Sequence, residues 1–330
     1  MRHRIKLIVR VLMVIAALLL TILGVVMGPY ALKVQRFEAD VRAGFAADFY
    51  VYVSPAAKQA AERGERVTIL VQPNNSGVNS DDKDVHRRDA WWMGFGRHWI
   101  ADELSVVLLV PAFVRPQEDW EIYTHALDRD TFTTARHDLA RIDLQLLAMI
   151  DRTRESLAQN GIASDEKILI QGFSASGMFA NRFTALHPER VKAVAAGSPG
   201  GWPLAPLAQW QGERLSYPVG VSDIEALTGK PFNVDAYKAV PQLIVMGAQD
   251  NNDSLDFNDG WEKDQAATVN RLFGDSPIAR WPLSQSLYHD AGANARFILV
   301  DDVGHDRKAL QKYSTQFFAK LLAPQTRQRP

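Results

Sequence analysis

The 330-residue sequence contains no cysteine. This absence excludes disulfide bonds, thiolate metal sites and a cysteine nucleophile. It does not identify the compartment in which the protein works, because a chain without thiols folds equally well under oxidising and reducing conditions.

An excess of charge of either sign is also lacking. The chain has 37 lysines and arginines against 38 aspartates and glutamates, a formal net charge of −1. Nucleic-acid binding requires a strongly basic surface, so no nucleic-acid partner is expected. With 47% hydrophobic and 23% charged residues, the composition is that of a globular protein with a sizeable core.

The start of the chain lacks charged residues over a long stretch. No charged side chain occurs from Val11 to Leu32, whereas residues 2–10 include four basic ones. A helix over this stretch is roughly 33 Å long, which matches a hydrocarbon core about 30 Å thick. We therefore expect residues 1–32 to form a membrane anchor, with the basic end in the cytoplasm and the rest of the chain on the other side. The alternatives are a cleaved signal peptide, with secretion of the remainder, and a buried helix.

The segments that follow the anchor differ in pattern. Residues 33–45 are polar and predict a helical stem, and residues 325–330 form a short tail. Between them, residues 46–324 alternate β-rich or aliphatic segments with amphipathic ones. The aliphatic run at 104–113 is typical of a strand buried on both faces of a parallel sheet. The pattern predicts an α/β domain with a doubly wound, mostly parallel sheet.

The elements of this domain are placed by their periodicity and by Gly and Pro residues. Predicted strands cover residues 48–53, 66–73, 104–113, 167–172, 191–199, 241–250 and 295–306. Predicted helices cover residues 134–161, 176–190, 261–274 and 306–323. The loop-rich stretch 200–240 interrupts the alternation and predicts a cap or a loop insertion. Because crossovers between parallel strands are right-handed, the carboxyl ends of the strands meet at one edge, where a site is expected.

The stretch GFSASG, residues 172–177, follows a predicted strand and precedes a predicted helix, which is the setting of a nucleophile elbow. The strained backbone of such a turn requires small residues two positions before and two positions after the nucleophile. An elbow centred on Ser174 places Gly172 and Ser176 at these positions. One centred on Ser176 would place the bulky Met178 at the second of them. The pattern therefore favours Ser174 as the nucleophile.

A serine hydroxyl needs a base to remove its proton, and the base needs a partner to fix its tautomer. His305 follows one predicted strand in the sequence VDDVGH, and Asp250 follows an earlier strand in MGAQD. Both are therefore expected at the same edge of the sheet as Ser174. Asp253 is an alternative acid. The acidic stretch around it lacks the spacing of a calcium-binding loop, so we expect neither a metal nor a cofactor.

Acyl transfer also requires hydrogen-bond donors for the oxyanion that develops on the substrate. The backbone N–H of Ala175, directly after the nucleophile, is expected to be one donor. The second is expected in the loop after strand 66–73, where Asn74 and Asn75 are the candidates. For the substrate pocket, Trp202 is the best candidate among the tryptophans, because it follows the strand next to the elbow.

These motifs resemble those of a known family. From about residue 46 to 322 the chain resembles an α/β-hydrolase-fold protein. Its segment QGFSASGMFANRFTALHPERVKAVAAGSPGG resembles the elbow region of polyhydroxybutyrate-depolymerase-like and feruloyl-esterase-like members. The resemblance implies an eight-stranded, mostly parallel sheet and a triad of Ser174, Asp250 and His305. The chain departs from the usual pattern at Ser176, where a glycine is common, and at QPNNSG, where many relatives have a His-Gly pair.

The function expected from these residues is a membrane-anchored serine hydrolase that cleaves carboxylic esters, with amides as a second bond type. Its substrate would be a small-molecule or polymer ester. Two other functions are compatible with the same sequence. One is a catalytically silent binding module of the same fold, and the other is an acyltransferase that passes the acyl group from the same serine to an alcohol or amine.

Overall fold

The computed structural model describes residues 27–323 and four isolated positions before them, Met13, Ile15, Thr21 and Gly24. Most of the predicted anchor, residues 1–32, and the predicted tail, residues 325–330, lie outside the described residues. Within the described part of the chain, no helix combines the length and the apolar character needed to cross a membrane.

A central sheet organises the described residues. The strands in chain order are β1 (Val34–Phe37), β2 (Phe49–Val53), β3 (Ile69–Val71), β4 (Val107–Pro111), β5 (Ile168–Phe173), β6 (Val191–Gly197), β7 (Gln209–Trp210), β8 (Glu213–Arg214), β9 (Gln242–Gly247) and β10 (Ala295–Val300). Strands β7 and β8 pair with each other, and the other eight form one sheet in the order β1-β2-β4-β3-β5-β6-β9-β10. The pairs β1–β2 and β2–β4 are antiparallel, and the remaining pairs of this sheet are parallel. The predicted α/β class with a mostly parallel sheet is therefore confirmed.

Helices cover both faces of the sheet. Those that lie wholly within the described residues are α1 (Pro55–Glu62), α2 (Lys83–Phe95), α3 (His98–Leu104), α4 (Asp130–Thr133), α5 (Ile142–Gln159), α6 (Ala175–Leu186), α7 (Ile224–Thr228), α8 (Val234–Ala239), α9 (Lys263–Phe273), α10 (Pro277–Asp290) and α11 (Arg307–Leu322). On one face, α5 and α6 bury Leu146 and Phe179 against the strands. On the other face, α2, α3 and α11 bury residues that include Ile100 and Phe318. Burial of each such side chain stabilises the fold by about 1.5–3 kcal/mol. This packing fixes the sheet and the starting points of the loops at its edge.

The helical stem predicted for residues 33–45 is wrong. Val34–Phe37 instead forms the edge strand β1, which pairs antiparallel with β2. The ring of Phe37 stacks on that of Phe49 with 4.7 Å between centroids. Tyr30 is 1% exposed and its ring lies 5.4 Å from that of Tyr52. Tyr30 is therefore part of the packed domain. Its contacts remove the aromatic ring from water, which stabilises its position.

Two other regions differ from the sequence-based expectation. The helix predicted from residue 134 begins at Ile142, after a short α4 and an irregular turn. Helix α10 lies between residues 274 and 295, where the sequence pattern predicts no helix. It begins with Ser276 capping the amide of Ala279 and contains Pro282, and an internal proline normally argues against a helix. Trp281 and Leu287 are buried where this helix packs in the domain. Their burial outweighs the tendency of proline to interrupt a helix.

Three strands of the sheet carry the predicted triad. Ser174 follows β5, Asp250 lies shortly after β9, and His305 lies shortly after β10. Strands β5, β6, β9 and β10 are consecutive neighbours and parallel. The three side chains therefore leave the sheet at the same edge, as expected for the site of an open α/β fold.

Candidate active site

Ser174 occupies a strained turn between β5 and α6. Its backbone has φ 58° and ψ −125°, a region that side-chain-bearing residues rarely adopt. The backbone N–H of Ser174 donates to the carbonyl of Gly197 on β6, at 2.9 Å. A Cβ atom on Gly172 would lie 1.9 Å from the carbonyl oxygen of Ser176. Gly172 and Ser176, which stand two positions before and two positions after Ser174, thus approach each other closely, as expected of a turn that requires small residues there.

Ser176 supports this turn and is not presented as a nucleophile. It is 2% exposed. Its hydroxyl accepts a hydrogen bond from the backbone N–H of Phe173 at 3.0 Å and donates to the Phe173 carbonyl at 2.9 Å. These contacts hold together the residues on either side of Ser174. Of the two serines, only Ser174 has the positive φ of the turn.

His305 is oriented by Asp250. The Nδ1 atom of the ring lies 2.9 Å and 3.1 Å from the two carboxylate oxygens of Asp250. Burial raises the pKa of Asp250, but the hydrogen bonds that it accepts, first of all from His305, outweigh burial and hold the pKa below its ordinary value. The carboxylate therefore stays charged and fixes the imidazole.

The loops carrying these two residues are tied to each other through the backbone. The amides of Ala248 and Gln249 donate to the carbonyls of Val300 and Val303, both at 2.8 Å. A Cβ on Gly247 would lie 2.1 Å from the Val303 carbonyl oxygen, so the close approach of the two loops requires glycine there. The acid and the histidine are therefore brought together by main-chain contacts at the ends of β9 and β10.

Asp253, the alternative acid, has a different partner. Its carboxylate accepts from the guanidinium of Arg280 at 2.7 Å and from the amide of Leu255 at 3.2 Å. Of the two candidates, Asp250 is the one that contacts His305. In the described residues no cluster of acidic or histidine side chains is arranged to hold a metal ion.

Ser174 and His305 line one cavity of about 660 Å³ at the edge of the sheet. Phe173 also lines this cavity, and its ring packs against the imidazole with 4.5 Å between centroids. No hydrogen bond joins the Ser174 hydroxyl to the free nitrogen of His305 in this structure. Such contacts are often open in the absence of substrate and close when it binds.

The structure separates the two asparagines of the loop after β3. Asn74 is fully buried, and its side-chain amide pairs with both the N–H and the carbonyl of Phe113. It lies behind the cavity wall. Asn75 lines the cavity, and its side chain donates to the Phe173 carbonyl at 3.3 Å. Ala175 also lines the cavity, and its N–H is one of the first in a helix, which have no intrahelical acceptor. The oxyanion roles of these residues stay predictions.

The structure corrects the position expected for Trp202. The residue is 1% exposed and does not line the cavity. Its ring stacks on Phe273 at 4.1 Å and its N–H donates to the Val219 carbonyl at 3.0 Å. An indole that finds both a stacking partner and an acceptor in the interior is stable there. Likewise, no residue of 200–240 lines the cavity, and the role of this stretch as a cap or a loop insertion stays a prediction.

The cavity is also lined by residues that the sequence did not indicate. Trp120, which was only one of several aromatic candidates, is at its wall together with Tyr123 and three arginines, Arg97, Arg115 and Arg307. Arg307 could have been noticed from its position two residues after His305. No local signal marks the other two arginines, since they come from loops that are distant in sequence.

Comparison with known proteins identifies the fold. No protein-family model and no curated protein matches the chain. Among solved structures, poly(aspartic acid) hydrolase-1 from Sphingomonas sp. KT-1 superimposes with a TM-score of 0.56 at 20% identity, covering 86% of this chain and 97% of that one. The poly(3-hydroxybutyrate) depolymerase from Bordetella parapertussis superimposes with a TM-score of 0.52 at 20% identity, covering 88% of this chain and 94% of that one. The chain has the α/β-hydrolase fold.

We expect Gly172→Ala to destabilise the protein, because its Cβ would meet the backbone of Ser176 at 1.9 Å. Overpacking of this kind costs about 1–3 kcal/mol in the free energy of unfolding, measurable by urea denaturation. Gly96→Ala is the matched control, since a Cβ there would be in ordinary contact at 3.4 Å and the backbone is already helical. Equal stability of the two variants would contradict the close approach at the elbow.

The burial of His125 should make the free energy of unfolding depend on pH. His125 is buried with Nε2 2.8 Å from the Phe113 carbonyl, and burial lowers its pKa to about 3. The ordinary value is about 6.5, so between these values only the unfolded chain takes up the proton, and stability falls as the pH falls from about 6.5 towards 3. We expect the free energy of unfolding to drop by on the order of 2 kcal/mol more between pH 7 and pH 5 in the parent than in His125→Gln. If urea titrations give the same pH dependence of the free energy of unfolding for the parent and for His125→Gln, the buried ring of His125 is not neutral and the prediction is refuted.

Proposed function

We propose that this chain is a serine hydrolase that cleaves carboxylic esters through an acyl-enzyme on Ser174. One observation carries the proposal: His305, held by the buried carboxylate of Asp250, lines the same cavity as Ser174 in its strained turn. Two solved structures that share the fold are named as a hydrolase and a depolymerase, which supports hydrolysis as the reaction class. Amides are the second bond type that the same groups can cleave.

In the proposed mechanism His305 acts as the general base. Because its Nδ1 faces the carboxylate of Asp250, the neutral ring carries its proton there and leaves Nε2 free. Substrate binding brings the Ser174 hydroxyl within about 3 Å of Nε2. The ring takes the hydroxyl proton as Ser174 Oγ attacks the ester carbonyl carbon. The protonated ring then gives that proton to the departing alcohol.

Water releases the acyl group by the same steps in reverse roles. His305 takes a proton from water, the hydroxide oxygen attacks the acyl carbon, and Ser174 Oγ leaves with the proton returned from the ring. Asp250 stabilises the imidazolium in both halves without accepting the proton itself. The product is the free acid and the unmodified enzyme.

The oxyanion of each tetrahedral intermediate is proposed to accept hydrogen bonds from the backbone N–H of Ala175 and from Asn75. Both residues line the cavity into which a carbonyl attacked by Ser174 would bind. Removal of one donor of this kind costs roughly 100- to 1,000-fold in kcat. Asn74, bound to Phe113, is proposed to hold the loop that presents its neighbour.

We further propose that residues before Tyr30 anchor the chain in a membrane, with the hydrolase domain on the extracytoplasmic side. The charge-free stretch that begins at Val11 and the basic residues before it support this orientation. Because Tyr30 packs in the domain, the span ends no later than residue 29. A helix over the 19 residues from 11 to 29 would be about 28 Å long, still close to the thickness of a hydrocarbon core.

Ser174→Ala should abolish turnover of p-nitrophenyl esters, with kcat lower by about 10⁴–10⁶, and should prevent labelling by a fluorophosphonate probe. Asp250→Asn should lower kcat by about 10³–10⁴ because the imidazole loses its orienting charge. Ser176→Gly is the matched control. It removes the contacts to Phe173 and lowers stability by about 1–3 kcal/mol, but it should keep probe labelling.

Undiminished turnover by Ser174→Ala would refute the proposed nucleophile. Failure of the parent chain to react with either reagent would favour a catalytically silent module. Products formed in the presence of added alcohols separate hydrolysis from acyl transfer, since the hydrolase releases mainly the free acid.

The anchor is tested by expressing the full chain in a bacterial host. We expect the chain to remain in the membrane pellet after carbonate extraction and to be digested by protease added to spheroplasts. A chain that begins at residue 27 is the control, and it should appear in the soluble fraction. Recovery of the full-length chain in the soluble fraction would contradict the proposed anchor.

A further inference from the structure

Two arginines in the cavity have no role in the proposed reaction. Arg97 precedes α3 and Arg307 is the first residue of α11. Both line the cavity together with Ser174 and His305. They come from opposite ends of the chain, and the fold brings them to the histidine side of the site.

Arg97 is buried without a partner. Its side chain belongs to a residue only 8% exposed, and its Nε has no hydrogen-bond acceptor. Over the described residues, neither Arg97 nor Arg307 forms an ion pair with a carboxylate. The stretches outside the described residues contain no aspartate or glutamate that might supply one. A guanidinium in this position is unusual, because buried charges in proteins are normally paired.

The two guanidinium groups act on each other. Burial and, to a smaller extent, the positive charge of Arg307 together lower the pKa of Arg97 to about 10. At neutral pH both groups nevertheless stay charged. The cavity therefore holds a concentrated positive charge that the protein itself does not neutralise.

The remaining charges of the cavity do not cancel this pair. Arg115 is paired with Asp259 at 2.8 Å and lies over the ring of Tyr123. Asp250 is behind His305 and does not line the cavity. The lining thus contains one internal ion pair and two free arginines, a balance that favours an anionic ligand.

We propose that Arg97 and Arg307 form a subsite for a carboxylate carried by the ester that Ser174 cleaves. This rests on the proposed hydrolase function. The planar guanidinium binds a carboxylate through two parallel hydrogen bonds, and a bound carboxylate removes the cost of leaving Arg97 buried and unpaired. The substrate class is an ester whose acid or alcohol part bears a second, free carboxylate, such as a half-ester of a dicarboxylic acid.

The test compares matched neutral and anionic esters on the full chain. Para-nitrophenyl hydrogen adipate against p-nitrophenyl hexanoate places the carboxylate on the acyl side. Para-carboxyphenyl acetate against phenyl acetate places it on the leaving group. We expect the anionic member of one pair to have the higher kcat/KM by about 10- to 100-fold, the value of a charge-assisted hydrogen bond, with the preference decreasing as NaCl is added.

In Arg97→Gln and in Arg307→Gln this anionic-to-neutral ratio should fall by about 10-fold or more, whereas Arg97→Lys should retain part of it. The matched control is Arg88→Gln, which removes the same charge from an exposed position on α2 outside the cavity and should leave the ratio unchanged. Arg307 is half-buried, so its variant keeps the test available if the Arg97 variant does not fold. An unchanged ratio in both folded glutamine variants would overturn the proposal.

The outcomes distinguish the subsite from the hydrolase itself. Turnover of the neutral esters without preference for either anionic ester would refute the subsite and leave the hydrolase intact. If no ester is turned over, the subsite is tested by calorimetric titration of Ser174→Ala with monomethyl succinate and with methyl butyrate. Tighter binding of monomethyl succinate that is lost in the double variant Ser174→Ala/Arg97→Gln supports the subsite, and equal binding of the two compounds overturns it.

Discussion

The parallel pairing of β9 with β10 is the constraint on which the candidate site depends. It places Gly247 beside Val300 at the ends of the two strands. The two following loops then run close enough for main-chain hydrogen bonds from Ala248 and Gln249 to join them. As a result, the carboxylate and the imidazole meet without any flexible segment between the sheet and the side chains. The proposed acid and the proposed base are therefore preorganised relative to each other.

The serine is held by a different device. Ser174 is the residue at which the chain reverses from strand β5 into helix α6, and its positive φ is stabilised by the close packing of Gly172 on the backbone of Ser176. The strain is offset by the buried strand on one side and the buried helix on the other, since both are fixed by the core. The hydroxyl is left exposed to the cavity. The proposed nucleophile thus lies on the turn after β5 and the proposed base on the loop after β10. The sheet connects these two segments.

Charge in the cavity follows from the same architecture. Several buried charged groups have partners, such as Asp143 with His187 and Arg141, whereas Arg97 and Arg307 form no ion pair within the described residues. These two arginines line the cavity in which a ligand would bind. That contrast between paired and unpaired buried charge distinguishes a binding group from a structural one.

The sequence by itself determined the α/β class, most strands of the sheet, and the three residues proposed as a triad. These follow from local information: aliphatic runs mark buried strands, Ser174 directly follows one such strand, and Asp250 and His305 lie shortly after two others. It did not determine the edge strand Val34–Phe37 or helix α10, because pairing with β2 and burial of Trp281 outweigh the local preferences of polar residues and proline. Only the tertiary structure placed Asp250 against His305 and Asp253 against Arg280, moved Trp202 into the core, and placed Arg97 beside Arg307. Each of these depends on which distant side chains become neighbours, and spacing along the chain carries no record of that.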